Sequence, residues 1–394
     1  MRIHAAVFTI ALFTGACTGM APGGSTGDDG SNAGGGDDGT GPGSGAPAGR
    51  LRVSGANIVD EAGTPVRLTG VNWFGLETAN YAPHGLWQRP MDAMLDQIVT
   101  LGFNCIRVPF STQLFDAGSK PNGIDYTQNP DLVEKSGPDI LDALIHKAGA
   151  RGLRIILDRH RPDSGAQSPL WYTAQYDEAR WISDWTMLAT KYKDDPTVVA
   201  FDLHNEPHAT ATWGDGNMAT DWRLAAERAG NAILAVDPDA LIVVEGIEVV
   251  DNNYYWWGGN LRAAGTAPVQ LAAPDHVIYS PHEYPASIYM QSWFSDPTYP
   301  ANLASVWDTT WGDVSATAPV LIGEFGTKLA TDLDRQWLAT LAGYIKARGL
   351  SFTFWSLNPD SGDTGGILGD DWVTVNADKM SYLTPILAPP LPPN

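Results

Sequence analysis

Three features of the sequence predict a (β/α)₈ TIM barrel, an α/β fold. Eight short apolar runs alternate with segments whose apolar residues recur every three or four positions, the pattern of parallel strands joined by crossover helices. Two of these runs lead into glutamates, Glu206 and Glu324, and carboxylates at the C-terminal ends of strands belong to the working face of such a barrel. A length of 394 residues with a hydrophobic share of 43% suits one barrel of ~250 residues, its insertions and its core.

The elements follow in order. Residues 1–17 carry Arg2, the apolar stretch Ala5 to Phe13 and small residues before Cys17, which is the make-up of a secretory signal peptide and too short to span a membrane as a helix. Residues 18–49 are Gly, Asp, Ser, Pro and Ala with almost nothing to bury, so they read as a flexible, disordered linker. The folded domain, 50–394, opens with a small β-hairpin (Leu51–Val53, Asn57–Val59) and the turn Glu61-Ala62-Gly63-Thr64. Barrel strands are expected at Arg67–Asn72, Cys105–Pro109, Arg154–Asp158, Val198–Leu203, Leu241–Glu245, Val277–Ser280, Val320–Gly323 and Ser351–Trp355. Helices are expected at Met91–Leu101, Asp139–Arg151, Ala179–Tyr192, Asp221–Ala235 and Asp332–Arg348, from their three-to-four residue apolar spacing. There is no internal repeat and no sign of a second folded domain.

Charge and composition narrow the partners. A net charge of −21 argues against nucleic acid or an anionic membrane, because like charge repels within a Debye length; a neutral polymer is admissible. Residues 1–49 carry only Arg2 against Asp28, Asp29, Asp37 and Asp38, so the acidity belongs to the folded domain. Fifteen tryptophans in a chain only 18% charged stand out, since an indole lies flat on the C–H face of a sugar ring while its N–H finds a polar partner. Half or more of them are expected in the core. Cys105, inside a strand, reads as a buried structural thiol, and no disulfide framework is available.

Reading just beyond each strand gives Trp73, Arg107, His160, Glu206, Glu245, His282 with Tyr284, Glu324 and Trp355, which a barrel would gather into one pocket. Two glutamates there suit glycoside hydrolysis: one carboxyl protonates the leaving oxygen and the other meets the positive charge at the anomeric carbon. Rival readings are weaker. His204 and His208 flank Glu206 with zinc-helix spacing, but Pro207 disfavours a helix through them. The acidic loop Asp360–Gly366 departs from the calcium-binding spacing. Glu245 reads as a hydrogen-bond partner within the pocket, and of Trp256 and Trp257 one is expected in the core and one in the cleft. No metal or cofactor is expected.

The motifs Asn205-Glu206-Pro207 and Gly323-Glu324-Phe325-Gly326 resemble the paired signatures of glycoside hydrolase family 5. Further runs resemble its bacterial endo-β-1,4-glucanase (cellulase) branch: Gly70-Val71-Asn72-Trp73-Phe74-Gly75, Leu157-Asp158-Arg159-His160-Arg161-Pro162, Trp222–Asn231, Tyr255–Asn260 and Trp355–Gly366. The likeness covers about residues 50 to 385. It implies Glu206 as acid/base and Glu324 as nucleophile of a retaining double displacement, with Asn205 binding the sugar 2-hydroxyl. Arg107 and Tyr284 would steady the nucleophile, His160 and His282 line the cleavage subsite, Trp355 form its platform through a cis peptide to Ser356, and Trp73 join the substrate-binding set. His282-Glu283-Tyr284-Pro285 has Glu and Pro where close relatives often carry Asp and Ala.

The expected activity is hydrolysis of internal β-1,4 bonds of cellulose and related β-glucans by a secreted monomer. For Glu206 to act as an acid, its pKa is expected to be raised by the charge of Glu324. Thr14-Gly15-Ala16-Cys17 resembles a bacterial lipoprotein box, with Thr14 where leucine is preferred, so a lipid anchor at Cys17, with outer-membrane attachment, stands beside ordinary cleavage. Mannan, xyloglucan or mixed-linkage glucan as substrate is the near alternative, and a non-catalytic glycan-binding barrel the distant one.

Overall fold

The computed structural model describes residues 49–394; the expected signal peptide, the lipidation candidate Cys17 and all but the last residue of the expected linker lie outside the described residues. The described chain opens with the antiparallel hairpin β1 (Arg52–Ser54) and β2 (Asn57–Val59). There follow β3 (Thr69–Asn72), α1 (Met91–Thr100), β4 (Cys105–Ser111), α2 (Gly137–Gly149), β5 (Arg154–Arg161), α3 (Glu178–Tyr192), β6 (Val198–Asp202), α4 (Trp222–Leu234) and β7 (Leu241–Glu245). The remainder comprises the short hairpin β8 (Val249–Val250) and β9 (Asn253–Tyr254), then β10 (Val277–Ser280), β11 (His282–Glu283), α5 (Leu303–Thr310), β12 (Leu321–Ile322), β13 (Glu324–Phe325), α6 (Asp332–Arg348), β14 (Ser351–Phe354) and α7 (Ala377–Leu383).

Eight parallel strands run in the order β10-β7-β6-β5-β4-β3-β14-β12. A parallel bridge between Tyr279 and Val320, and the β11–β13 pair that sets His282 beside Glu324, close the ring. All eight expected barrel strands are present. The seventh is split: Gly323 separates β12 from β13, just as Pro281 separates β10 from β11.

The sequence dictates these elements locally. Ser136 and Asp139 form a capping box at the start of α2, Thr331 and Asp334 form another on α6, and Gly349 ends α6 at φ 63°, a left-handed turn that a side chain would disfavour. Inside the ring Leu68, Cys105, Ile156, Leu241, Val243, Ile278 and Leu321 pack with Val53 and Ile58 of the hairpin. The hairpin therefore floors the N-terminal end of the barrel and leaves the C-terminal ends for chemistry. Burial raises the Cys105 thiol pKa far above its ordinary range, as a structural thiol requires. Ten of the fifteen tryptophans are buried, so most of the indole content builds the core.

The connection from β7 to β10 departs from the repeating plan. In place of a crossover helix it carries the β8–β9 hairpin, the loop Tyr255–Asn260 and a single 3₁₀ turn at Arg262–Gly265.

Candidate active site

Arg107 sits at the centre of the C-terminal face, wholly buried, and each side-chain nitrogen has an acceptor. Nη1 donates to Glu324 Oε1 at 2.7 Å and Asn72 Oδ1 at 3.1 Å; Nη2 donates to Asn205 Oδ1 at 3.0 Å and Glu245 Oε1 at 3.1 Å; Nε donates to Asp202 Oδ2 at 2.8 Å. Asp158 Oδ2 lies 3.2 Å from Nη2. Burial alone would lower the pKa of Arg107, but Asp158, Asp202, Glu324 and Glu245 overcome it and raise it well above the usual value. The same burial pushes Asp158 up to about 7, Asp202 to about 6 and Glu245 to about 8, against the pull of Arg107 and His282. One guanidinium cannot satisfy this many carboxylates in a dry site, and protons make up part of the deficit.

Glu324 Oε2 accepts the Tyr284 hydroxyl at 2.5 Å, so both of its oxygens are held, one by Arg107 and one by Tyr284. Glu206, just past β6, has a left-handed φ of 52°, its N–H donating to Glu245 Oε2 at 2.7 Å. That backbone state costs a non-glycine residue on the order of 1–3 kcal/mol and is held by its surroundings. Gly258 is part of them: a Cβ there would lie 2.2 Å from Glu245 Oε2 and 3.1 Å from the Glu206 Cα. Glu245 therefore has the supporting role expected of it.

His282 stands between the two glutamates. Its Nδ1 is 3.1 Å from Glu206 Oε1 and 3.6 Å from Glu324 Oε2, and its Nε2 is 3.3 Å from Glu245 Oε1. Burial alone would lower its pKa, yet Glu245, Glu324 and the bond to Glu206 raise it well above the ordinary histidine value. Here the expectation for Glu206 fails. Burial would raise its pKa, but the hydrogen bond and charge of His282, with a hydrogen bond from Gln167, bring it below the ordinary carboxylate value. His282 Nδ1 thus faces both carboxylates and offsets the repulsion that Glu324 was expected to exert, so the proton of the unliganded site belongs to the Glu206–His282 pair.

The aromatic floor lies alongside. Trp355, joined to Ser356 by a cis peptide, stacks on His160 with centroids 5.3 Å apart and planes 6° apart, and also lies parallel to Phe74 at 5.4 Å. Its indole N–H donates to Ser361 Oγ at 3.2 Å, within the acidic loop that borders the cleft. His160 Nδ1 is 2.6 Å from Asp158 Oδ2, and burial lowers its pKa to about 4, which keeps the ring neutral. Together His160, Asn205, Glu206, Tyr284, Glu324 and Trp355 line a cleft of about 700 Å³.

Trp73 and His282, expected among the substrate-binding residues, do not reach the cleft surface. Trp73 is fully buried, its N–H donating to His84 O at 2.9 Å. Asn72 points into the barrel, so the alternation of a strand sends Trp73 outward into the helix layer. His282 is also completely buried and reaches the carboxylates, not the cleft surface, whereas Arg107, buried beneath the cleft, steadies Glu324 as expected. Trp256 and Trp257 divide as expected: Trp256 is buried in the hydrophobic core, edge-on to Tyr284 at the cleft wall, and Trp257 is exposed on the cleft and stacked on His208 at 3.8 Å. His204 instead meets Arg159 Nη1 at 2.9 Å, so the two histidines flanking Glu206 serve separate neighbours.

Reading by strand ends missed Gln167, which contacts both Asn205 and Glu206, and the cleft rim of Tyr254, Ile288, Tyr289 and Gln291. Asp158 and Asp202 end apolar runs of the sequence, and their pairing with Arg107 emerges only in the fold. Among the described residues, three sets of acidic and histidine atoms lie within 4.8 Å of one another: Glu206, His282 and Glu324; Asp158, His160 and Glu324; and Asp158, Asp202 and Glu245. All belong to this site, where Arg107 already supplies a cation to four of the carboxylates.

Comparison with known proteins identifies the family of the chain. The family model Cellulase (glycosyl hydrolase family 5) matches residues 59–361. An endoglucanase of Paenibacillus polymyxa is 56% identical over 349 residues, covering 86% of this chain and 88% of its own. The catalytic domain of the major endoglucanase of Xanthomonas campestris pv. campestris superposes with a TM-score of 0.82 at 41% identity, over 86% of this chain and 99% of its own. A cellotetraose complex of an endocellulase from Pyrococcus horikoshii superposes with a TM-score of 0.81 at 40% identity, over 87% and 99%.

Proposed function

The chain belongs to glycosyl hydrolase family 5 and is an endoglucanase, and we propose that it hydrolyses internal β-1,4-glucosidic bonds with retention of anomeric configuration, Glu324 as nucleophile and Glu206 as acid/base. The observation that carries this reading is the approach of the two carboxylates: an oxygen of Glu206 and one of Glu324 lie within 4.8 Å of each other beside His282. Retaining enzymes hold the pair about 5–5.5 Å apart, whereas inverting enzymes leave roughly 6.5–9.5 Å for a water.

In the first step Glu324, its charge steadied by Arg107 and Tyr284, attacks the anomeric carbon while Glu206 protonates the departing glycosidic oxygen. The proton is held by the Glu206–His282 pair, and a sugar that excludes water favours its transfer from His282 Nδ1 to Glu206 Oε1, because two neutral groups are easier to desolvate than an ion pair. The Glu324 ester then carries no charge. Glu206 takes a proton from water, which attacks the same carbon and releases the sugar with its original configuration. Trp355 provides a flat apolar face for a sugar ring and Asn205 an amide N–H for a hydroxyl.

We propose secretion through residues 1–17 and action as a monomer, with Cys17 the acceptor of any lipid anchor. Reducing-sugar release from carboxymethylcellulose, barley glucan, xyloglucan and mannan tests the substrate, with the first two expected to be cleaved and mannan not. Proton NMR of the first product from a reduced-end-blocked oligosaccharide tests the stereochemistry; an α-anomer formed first would overturn retention. Mass measurement of the cell-associated protein tests lipidation of Cys17.

A further inference from the structure

Gln167 lies in the loop after β5, between the two residues of the Asn205-Glu206 pair. Its Nε2 donates to Glu206 Oε2 at 2.8 Å and its Oε1 accepts from Asn205 Nδ2 at 3.0 Å. The direction of these bonds is fixed from outside. An arginine only donates, so the Asn205 oxygen must face Arg107 Nη2, at 3.0 Å. The Asn205 nitrogen is then turned to Gln167, the Gln167 oxygen is used in accepting it, and only the Gln167 amide nitrogen remains for Glu206. The guanidinium that grips Glu324 thus begins a one-way chain of donors, through Asn205 and Gln167, that ends on Glu206.

We propose that Gln167 is a positioning residue for the acid/base step, fixing Glu206 Oε2 as a permanent acceptor so that the acid proton is carried on Oε1, opposite His282. The two oxygens are made unequal by their neighbours. Oε2 meets an amide N–H that has no lone pair to offer, while Oε1 meets His282 Nδ1 at 3.1 Å, a group able to give and take the proton. Gln167 also occupies one hydrogen of the Asn205 amide and leaves the other for a sugar hydroxyl, which ties the orientation of the acid/base to that of the sugar-binding amide.

This inference rests on Glu206 being the acid/base. A donor to the ionised carboxylate favours ionisation, so removing it raises the pH at which the Glu206–His282 pair gives up its proton. The test is the pH dependence of kcat/KM on an aryl cellobioside with a poor leaving group, for the full chain and for Gln167→Met and Gln167→Glu. Both are expected to move the alkaline limb upward, by about one pH unit, the size of one charge-assisted hydrogen bond. Both should lower kcat more on poor than on activated leaving groups, with little change in Tm.

Q167E keeps the shape and the bond from Asn205, so the limb can be read from it should Q167M fold badly. An alkaline limb left in place in folded variants, or a change confined to KM, overturns the proposal. Azide rescue of Glu206→Ala on an activated cellobioside separates the two failures. Rescue with an unmoved limb in the Gln167 variants removes only the role of Gln167, and absence of rescue removes the acid/base reading beneath it.

Discussion

The Arg107 guanidinium and the Glu324 carboxylate, 217 residues apart in the chain, meet at 2.7 Å with both side chains almost fully removed from solvent. Arg107 also faces Asp158, Asp202 and Glu245, so it holds the nucleophile in place and offsets the charge of the barrel mouth. Its replacement by methionine should be felt in both. Loss of one partner from a buried charge cluster costs about 3–5 kcal/mol, and urea denaturation is expected to show a drop of that order. Activity should fall with it. R107M folding with wild-type stability would show that protons alone balance the carboxylates.

The two glutamates should respond differently to the leaving group. Glu324→Gln is expected to abolish formation of the glycosyl-enzyme, so that a fluorosugar inactivator no longer adds mass. Glu206→Gln should slow polymer cleavage by about 10²–10⁴-fold while leaving the glycosylation step with an activated phenol much less affected, since such a group departs with little proton assistance. Pre-steady-state release of the phenol measures that step directly. Equal losses on both substrates would remove the acid role from Glu206.

Gly258 should prove functional through its missing side chain. A Cβ there would meet Glu245 Oε2 at 2.2 Å, and its φ of 66° is unfavourable to other residues. Glu245 would have to release the Glu206 N–H or Arg107, and either displaces a carboxylate of the pair. Gly258→Ala is therefore expected to lower kcat by at least about tenfold, the equivalent of ~1.4 kcal/mol, while the fold persists by circular dichroism. Unchanged kcat would show that the Glu206 backbone is held without this contact.

The barrel was legible in the sequence because strand and helix leave different apolar periods, and the two glutamates because their motifs sit where those strands end. What escaped depended on tertiary context. Helix α5 is eight residues, LASVWDTT, with no side-chain N-cap, too short for its period to stand out. Trp73 follows a strand end and looked like a cleft residue, but the inward turn of Asn72 sends it to the opposite layer. Gln167 lies in an aperiodic loop, and its contacts are with residues 38 and 39 positions away, which no local pattern encodes. The repulsion of Glu324 on Glu206 is visible in the pairing of the two motifs, whereas the position of His282 between them is set only by the fold.

Glu283 supplies the last prediction. It is fully buried behind the site, with Oε1 accepting the Trp337 indole N–H at 3.1 Å and Oε2 accepting the Tyr255 hydroxyl, and neither partner carries a positive charge. Burial raises its pKa to about 7, against the hydrogen bonds from Tyr255 and Trp337. A carboxyl whose folded pKa lies above its unfolded value binds its proton more tightly in the native state. Its contribution to stability is full below the unfolded value, near 4.3, and is lost as pH rises through about 7. Glu283→Gln does not titrate and retains an oxygen for Trp337, so the variant should gain stability relative to the parent between pH 5 and pH 8, by on the order of 2–3 kcal/mol. Comparing the two proteins at each pH cancels the similar contributions of Asp158, Asp202 and Glu245. A difference in urea-denaturation free energy that stays constant across this range would show that Glu283 reaches its charged state without cost, through water or a rearranged Tyr255.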